Sequence, residues 1–205
     1  MTTLAKLLFL ILLPLSTHGF STTSRPPARI LRLSPLSAAT PHNFGTVSDR
    51  DAILYTACRP GDPPGKADPI ADEAVQEWIA FMQKQGVRKV VALLDDNELA
   101  NYDSDLSSLY AAGGLDVLVQ PMRAAGASQA ILNYVDQAAA ADEKVVTHCT
   151  GGVGRSGRVA AAWLVHHHGL TPAMATEETL ATAKVVGVNR KGDAAMLAEW
   201  LGLEE

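Results

Sequence analysis

Apolar positions repeat with two different periods along the chain after residue 49. Short β-branched apolar runs predict strands, whereas apolar residues spaced three and four apart predict helices. The predicted strands are 53–57, 87–94, 115–120 and 144–147, and the predicted helices are 71–85, 98–112, 128–141, 157–168, 172–186 and 192–203. Strands that alternate with helices predict an α/β fold, in which helices flank a central, mostly parallel sheet of about four to five strands.

A glycine-rich loop follows the last predicted strand and leads into a predicted helix. It reads His-Cys-Thr-Gly-Gly-Val-Gly-Arg-Ser over residues 148–156. In open α/β sheets, ligands bind at the edge where the parallel strands end. Glycines and a helix N-terminus bring backbone N–H groups together, and such groups bind phosphoryl oxygens. The loop therefore predicts a phosphate site that is formed by Thr150, Gly151, Gly152, Val153, Gly154 and Arg155.

Cys149 and Arg155 indicate what this site does. A cysteine beside a helix N-terminus gains thiolate character, and the thiolate is the nucleophilic form. The planar guanidinium of Arg155 can hold two phosphoryl oxygens at once. We therefore expect Cys149 to attack phosphorus and to form a phosphocysteine, which water then hydrolyses. Ser156 is expected to donate a hydrogen bond to the sulfur, and His148 is expected to hold the loop rather than to carry a proton.

Residues 148–156 resemble the signature loop of the cysteine-dependent protein tyrosine and dual-specificity phosphatases. The resemblance extends over roughly residues 51–192, although identity is strong only at the loop. It implies a protein-tyrosine-phosphatase-like fold, with Cys149 as the nucleophile and Arg155 as the phosphate ligand. It implies no cofactor, and the two cysteines form no metal-binding pattern.

The sequence departs from the family pattern at the residue that would serve as the general acid. These phosphatases carry an aspartate on a loop that follows a strand, and the matching position here is Ala124. Asp95 and Asp96, which follow the predicted strand 87–94, are the candidate replacements. The alternative for this pair is a solvated turn with a helix-capping aspartate. A general acid contributes about 10²–10⁴ in rate, so its source matters.

Three functions remain open from the sequence. The main hypothesis is a dual-specificity-like hydrolase that acts on a phosphoprotein or on a small phosphoester. The alternative is a pseudophosphatase that binds phosphate with little turnover, because Ala124 replaces the acid. A sulfurtransferase also uses a cysteine loop of this length, but the Gly-Val-Gly-Arg-Ser ending of this loop disfavours that function. The natural substrate and the oligomeric state are not predicted.

The first 48 residues differ in composition from the rest of the chain. They contain no aspartate or glutamate, and an apolar run at 7–15 precedes a Ser-, Thr-, Pro- and Arg-rich stretch at 21–40. The run is too short to span a membrane and is typical of a signal peptide, whereas the stretch has transit-peptide composition. We therefore predict a disordered targeting segment at 1–48 and a phosphatase-like domain at 49–205. The combination resembles algal presequences that reach a plastid through the secretory route, and the alternative is secretion or the endomembrane lumen.

The net charge of the chain indicates which classes of partner it can bind. The chain has 17 basic and 22 acidic residues, and residues 49–205 alone have 13 and 22, a net charge of −9. An acidic domain repels nucleic acid and anionic membranes, so we expect no nucleic-acid partner and no membrane-embedded domain. Neither Thr150 nor Val153 is a lysine, which disfavours highly phosphorylated inositols.

Two further features are left open. Cys58 is interpreted as a buried structural residue, with the alternative that it protects Cys149 from over-oxidation by forming a disulfide. The basic turn 189–192 either supports the phosphate site or is a solvated turn.

Overall fold

A five-stranded sheet forms the centre of the part of the chain that the structure describes. The structure is a computed structural model, and it describes residues 40–61 and 69–203. The strands are β1 (Gly45–Thr46), β2 (Leu54–Cys58), β3 (Val87–Ala92), β4 (Asp116–Val119) and β5 (Lys144–Cys149). They are arranged in the order β1-β2-β5-β3-β4, where β1 is antiparallel to β2 and all other neighbours are parallel. The predicted α/β fold with a mostly parallel sheet is confirmed.

Helices connect the strands and cover the sheet. They are α1 (Asp72–Lys84), α2 (Asp96–Leu99), α3 (Leu106–Ala112), α4 (Ala127–Ala140), α5 (Arg155–His168), α6 (Pro172–Val186) and α7 (Ala194–Leu201). Among the described residues, no helix has both the length and the apolar character that crossing a bilayer requires.

Each face of the sheet has its own hydrophobic core. On one face, Trp78 of α1 and Tyr110 of α3 are fully buried with Val146 of β5. On the other face, Trp163 of α5 packs in the same cluster as Val145 of β5. Burying each large apolar side chain contributes about 1.5–3 kcal/mol. Because β5 lies between β2 and β3 and is covered on both faces, its carboxyl end is held firmly where the predicted phosphate site begins.

The predicted helix 98–112 is wrong, because the structure has two short helices there. The backbone leaves the helical path after α2 to pair with Ile70, whose N–H donates to Asn101 O and whose carbonyl accepts from Asp103 N–H. A new helix then begins after Asp105, whose side chain accepts from the Ser108 N–H and caps α3. This break depends on a contact with a residue far away in sequence, so the apolar spacing alone does not reveal it.

Residues 40–48 contribute to the folded part of the chain, although the sequence analysis placed them in the targeting segment. Gly45 and Thr46 form β1, and Val47 and Ser48 are buried. The predicted signal and transit features at 1–39 lie outside the described residues, and plastid delivery stays a prediction.

Candidate active site

Cys149 is the last residue of the central strand, and only 4% of its surface is exposed. Residues 150–154 form a tight loop, after which α5 begins at Arg155. Gly152 has a φ of 68°, and a Cβ at this position would lie 2.4 Å from the carbonyl carbon and oxygen of Ala57. Glycine is therefore required here, because the loop passes directly over the end of β2.

The carbonyl groups of the loop all have hydrogen-bond partners outside it. The carbonyls of Gly151 and Gly152 both accept from the side-chain Nδ2 of Asn43 (3.3 and 3.2 Å). The other three accept from backbone N–H groups: Thr150 O from Arg59 (3.3 Å), Val153 O from Lys191 (3.1 Å) and Gly154 O from Arg158 (3.0 Å). The C=O and N–H of a trans peptide point in opposite directions. The N–H groups of residues 151–155 therefore point away from these partners, and none of them donates to another described residue. A row of such inward N–H groups is what an anion site requires.

Two segments that are distant in sequence hold the loop in place. Asn43 exchanges hydrogen bonds with Asn189, from Nδ2 to the Asn189 carbonyl (2.9 Å) and from the Asn189 N–H to Oδ1 (2.7 Å). Gly157 packs against the same turn, since a Cβ there would lie 2.3 Å from Lys191 O. The turn 189–192 thus supports the loop. Sequence reasoning missed Asn43, because a single asparagine before the first strand matches no motif.

Arg155 is held by a carboxylate that the sequence analysis did not select. Its Nη1 donates to Glu98 Oε2 (2.5 Å) and to Leu93 O (2.6 Å), while its Nη2 donates to Glu98 Oε1 (2.7 Å) and to Thr150 Oγ1 (2.7 Å). The Thr150 hydroxyl in turn donates to Glu98 Oε1. Glu98, Arg155 and Thr150 therefore form a closed network at the mouth of the loop.

Glu98 remains ionised in this network. Partial burial by itself would raise the pKa of Glu98, but hydrogen bonds from Arg155, Thr150 and the Asp95 N–H outweigh burial and lower that pKa to about 2. Glu98 also forms a capping box with Asp95 at the start of α2. The Asp-x-x-Glu spacing could have indicated this cap from the sequence. The spacing carries no information about the partner Arg155, which is 57 residues away.

His148 is a neutral, buried residue. Burial, followed by the nearby charges of Arg155 and Arg59, lowers the pKa of His148 to about 3. Its Nε2 is hydrogen-bonded to the hydroxyl of Tyr110 (2.9 Å), and its ring packs edge-on against Trp78. The predicted hydrogen bond from His148 to the loop is not formed, because Nε2 bonds to α3 and Nδ1 has no partner among the described residues.

The expected hydrogen bond between Ser156 and the Cys149 sulfur is not formed in this structure. Ser156 is fully buried, and its hydroxyl has no partner among the described residues. The sequence analysis placed Ser156 at the end of the loop, whereas it lies in the first turn of α5, and its side chain does not make the predicted contact.

A cleft of about 1040 Å³ opens beside the loop, and it is lined by Ala124, the residue at which the sequence resemblance predicts an aspartate. Asp95 also lines this cleft, whereas Asp96 is exposed and does not. Asp95 caps α2, so the helix-capping interpretation applies to it. The other carboxylates in the cleft are Glu98, which is paired with Arg155, and Glu199 of α7.

Cys58 lies directly beside Cys149. The two residues are register partners on the parallel strands β2 and β5, and both are buried. Leu54 and Val145 belong to the same core cluster, and side chains two and four residues along a strand share a face. Both cysteines therefore lie on the same side of the sheet.

Comparison of the chain with models of known protein families identifies the family to which it belongs. The family model described as Tc-R-P, "Polymorphic toxin system, DSP-PTPase phosphatase", matches residues 64–169. A search of curated proteins finds no match.

Solved structures with a similar fold include several phosphatases. The active form of Tk-PTP is 23% identical with a TM-score of 0.54, and the match covers 75% of this chain and 92% of that one. Kinase associated phosphatase with its catalytic-site cysteine substituted by serine is 19% identical, with a TM-score of 0.57 and coverages of 73% and 86%. PTPMT1 is 14% identical, with a TM-score of 0.56 and coverages of 77% and 92%. At these identities the likeness concerns the fold.

Proposed function

We propose, from the premise that the chain belongs to the DSP-PTPase phosphatase family of polymorphic toxin systems, that it hydrolyses phosphate monoesters on proteins through a phosphocysteine at Cys149. The family and the fold support phosphoester hydrolysis in general. The protein substrate and the covalent intermediate are our proposal.

The reaction proceeds in two displacements. The substrate phosphoryl group binds to the N–H groups of residues 151–155 and to Arg155, with phosphorus next to the Cys149 sulfur. The Cys149 thiolate attacks phosphorus, an S–P bond forms, and the P–O bond to the leaving oxygen breaks. Water then attacks phosphorus, the S–P bond breaks, and inorganic phosphate leaves while the thiolate is restored. The backbone N–H groups that balance the negative charge on the phosphoryl oxygens are already in place, and Arg155 adds its positive charge.

The observation that carries this proposal is the outward anchoring of the loop carbonyls. It leaves the N–H groups of residues 151–155 without other acceptors in the described chain, next to a cysteine and a guanidinium. Fixed donors that need no rearrangement are the main electrostatic contribution to such reactions.

Substitution of the nucleophile tests the mechanism. Cys149→Ser is expected to abolish release of p-nitrophenol from p-nitrophenyl phosphate, while tungstate still binds in calorimetry, because the phosphate donors are unchanged. Cys58→Ser removes the neighbouring thiol and is the matched control, which should still turn over. Equal turnover by Cys149→Ser and the unmodified protein would refute the nucleophile assignment.

Three classes of substrate test the proposal that the natural substrate is a phosphorylated protein. A phosphotyrosine peptide and a phosphoserine peptide should both release phosphate, since the cleft is wide and open to solvent. PI(5)P belongs in the same assay, because PTPMT1 has been solved in complex with it. Release from PI(5)P alone would overturn the protein assignment and leave a lipid phosphatase.

The exposed Ala124 supports a second candidate, a module that binds phosphorylated ligands with negligible turnover. A catalyst without a general acid depends on the leaving group, so it should hydrolyse an aryl phosphate far faster than an alkyl phosphate. Turnover of neither ester, together with tight tungstate binding, would favour the binding module.

A further inference from the structure

Two arginines besides Arg155 line the cleft next to the phosphate loop. Arg158 lies one turn after Arg155 on α5, and Arg123 lies on the loop that follows β4. Residues three apart on a helix are neighbours, with about 5–6 Å between their Cβ atoms. The side chain of Arg158 therefore lies next to that of Arg155, at the border of the phosphate site.

A continuous series of contacts connects the two arginines along the cleft wall. Arg158 Nη2 lies 3.5 Å from Met196 Sδ on α7. One turn further along α7, Trp200 donates from Nε1 to the carbonyl of Met122 (3.2 Å), the residue before Arg123. Met196 is 48% exposed and lines the cleft together with Trp200. The wall therefore combines a partly exposed apolar strip with a cation at each side.

These two cations are not neutralised by the carboxylates of the cleft. Glu98 is paired with Arg155, and Asp95 is held in the capping box of α2. In the part of the chain that the structure describes, neither Arg123 nor Arg158 forms an ion pair. Glu199, the remaining carboxylate of the cleft, also forms none there. Two guanidinium groups are thus available to an anionic ligand, within a domain whose overall charge is negative.

We infer that Arg123 and Arg158 select phosphopeptides that carry a second anionic group, a carboxylate or a phosphate, within a few residues of the target phosphoresidue. This inference rests on the proposed function. A guanidinium binds both carboxylates and phosphates with two parallel hydrogen bonds, which suits either form of the second group. The apolar side chains of Met196 and Trp200 lie between the two cations and contact the peptide backbone and its apolar side chains.

The test uses one phosphotyrosine peptide in three versions, whose neighbouring residues are alanine, glutamate or phosphoserine. The readout is the ratio of kcat/KM for each acidic peptide to kcat/KM for the alanine peptide. Exposed ion pairs are weak, so two of them predict an acidic preference of roughly 2- to 30-fold. This preference should shrink as salt rises. It should fall towards one in Arg158→Ala combined with Arg123→Ala.

Arg88→Ala is the matched control, because it removes one exposed arginine from the opposite end of β3. It should leave the ratio unchanged, whereas Glu199→Gln should raise the ratio by removing a competing carboxylate. Equal kcat/KM for all three peptides, or a preference that survives the double substitution, would overturn the inference while leaving the proposed function intact. Absence of Cys149-dependent phosphate release from the peptides and from p-nitrophenyl phosphate would instead overturn the proposed function itself.

Discussion

At the scale of single residues, the guanidinium of Arg155 determines how phosphate can bind. Arginine has five N–H donors, and the four on Nη1 and Nη2 already meet Glu98, Leu93 and Thr150. A phosphoryl group that takes two hydrogen bonds from Arg155 can use Nε and must displace the Thr150 hydroxyl from Nη2. Glu98 can keep its two hydrogen bonds to Arg155 meanwhile, so we expect it to hold the plane of the guanidinium while phosphate binds.

The positioning role of Glu98 leads to a testable expectation. Glu98→Gln removes the charge and disrupts the paired hydrogen bonds to Arg155, and hydrogen bonds to charged groups contribute about 1.5–3 kcal/mol. We expect kcat/KM for p-nitrophenyl phosphate to fall roughly 10- to 100-fold. Glu77→Gln on the exposed side of α1 is the matched control. An unchanged kcat/KM in Glu98→Gln would show that Arg155 needs no carboxylate to hold it.

His148 gives a residue-scale prediction about pH. Its pKa is about 3 in the folded protein and ordinarily 6.5, so between these values the unfolded chain takes up a proton that the folded chain does not. This contribution makes the unmodified protein less stable as pH falls from about 6.5 towards 3, by up to about 1.4 kcal/mol per pH unit. Urea unfolding of His148→Gln should show a shallower decline than the unmodified protein between pH 6.5 and 5. His166→Gln controls for the loss of an imidazole, and parallel declines for all three proteins would contradict the buried neutral His148.

At the scale of elements, the sequence predicted the parts that have a regular apolar pattern. The strand before Cys149, the helix after Arg155 and α1 with its buried Trp78 all follow from local periodicity. The break between α2 and α3 did not, because it depends on pairing with Ile70. The partners that shape the phosphate loop, Asn43 and Glu98, were missed for the same reason, since their contacts cross more than 50 residues of chain.

The register of β2 and β5 gives a prediction about oxidation. Neighbouring strands lie about 4.7–4.9 Å apart, which is within the Cα separation of about 4.4–6.8 Å that disulfides adopt. Hydrogen peroxide should convert the Cys149 thiolate to a sulfenic acid, and the Cys58 thiol should then displace water to form a disulfide. Activity should return with dithiothreitol, and peptide mass spectrometry should show the loss of two hydrogens. In Cys58→Ser a second equivalent of peroxide should oxidise the sulfenic acid to a sulfinic acid, which dithiothreitol does not reduce. Full recovery of that variant would exclude a protective disulfide.

The loop after β4 gives a prediction about the general acid. Ala124, the residue at which the sequence resemblance predicts an aspartate, lines the cleft. Ala124→Asp should raise kcat for an alkyl phosphate by about 10²–10⁴, because a poor leaving group gains a proton donor. Ala125→Asp is the control, because it adds the same charge at the exposed neighbouring residue and not at position 124. Equal effects of the two substitutions would show that charge rather than position is responsible.

At the scale of the whole molecule, the site depends on segments from both ends of the described chain. Asn43 lies before the first strand and the turn 189–192 lies before the last helix, and both hold the carbonyls of the phosphate loop. Arg190 joins the same region to the sheet through Thr56 Oγ1 (2.7 Å), and burial lowers the pKa of Arg190 to about 10. The loop geometry is therefore a property of the complete fold and does not belong to residues 148–156 alone.

This dependence predicts where the functional domain begins. A protein that starts at residue 40 keeps β1, Asn43 and the buried Val47, whereas one that starts at Asp49 loses all three. Burial of a valine contributes about 1.5–3 kcal/mol and each hydrogen bond about 1 kcal/mol, so the shorter protein should be several kcal/mol less stable in urea unfolding. Its kcat/KM for p-nitrophenyl phosphate should also fall, because the carbonyls of Gly151 and Gly152 lose their donor. Asn43→Ala in the longer protein separates the two effects, since it removes the donor and keeps β1 and Val47. Full activity of the protein that starts at Asp49 would show that the loop holds its shape without this segment.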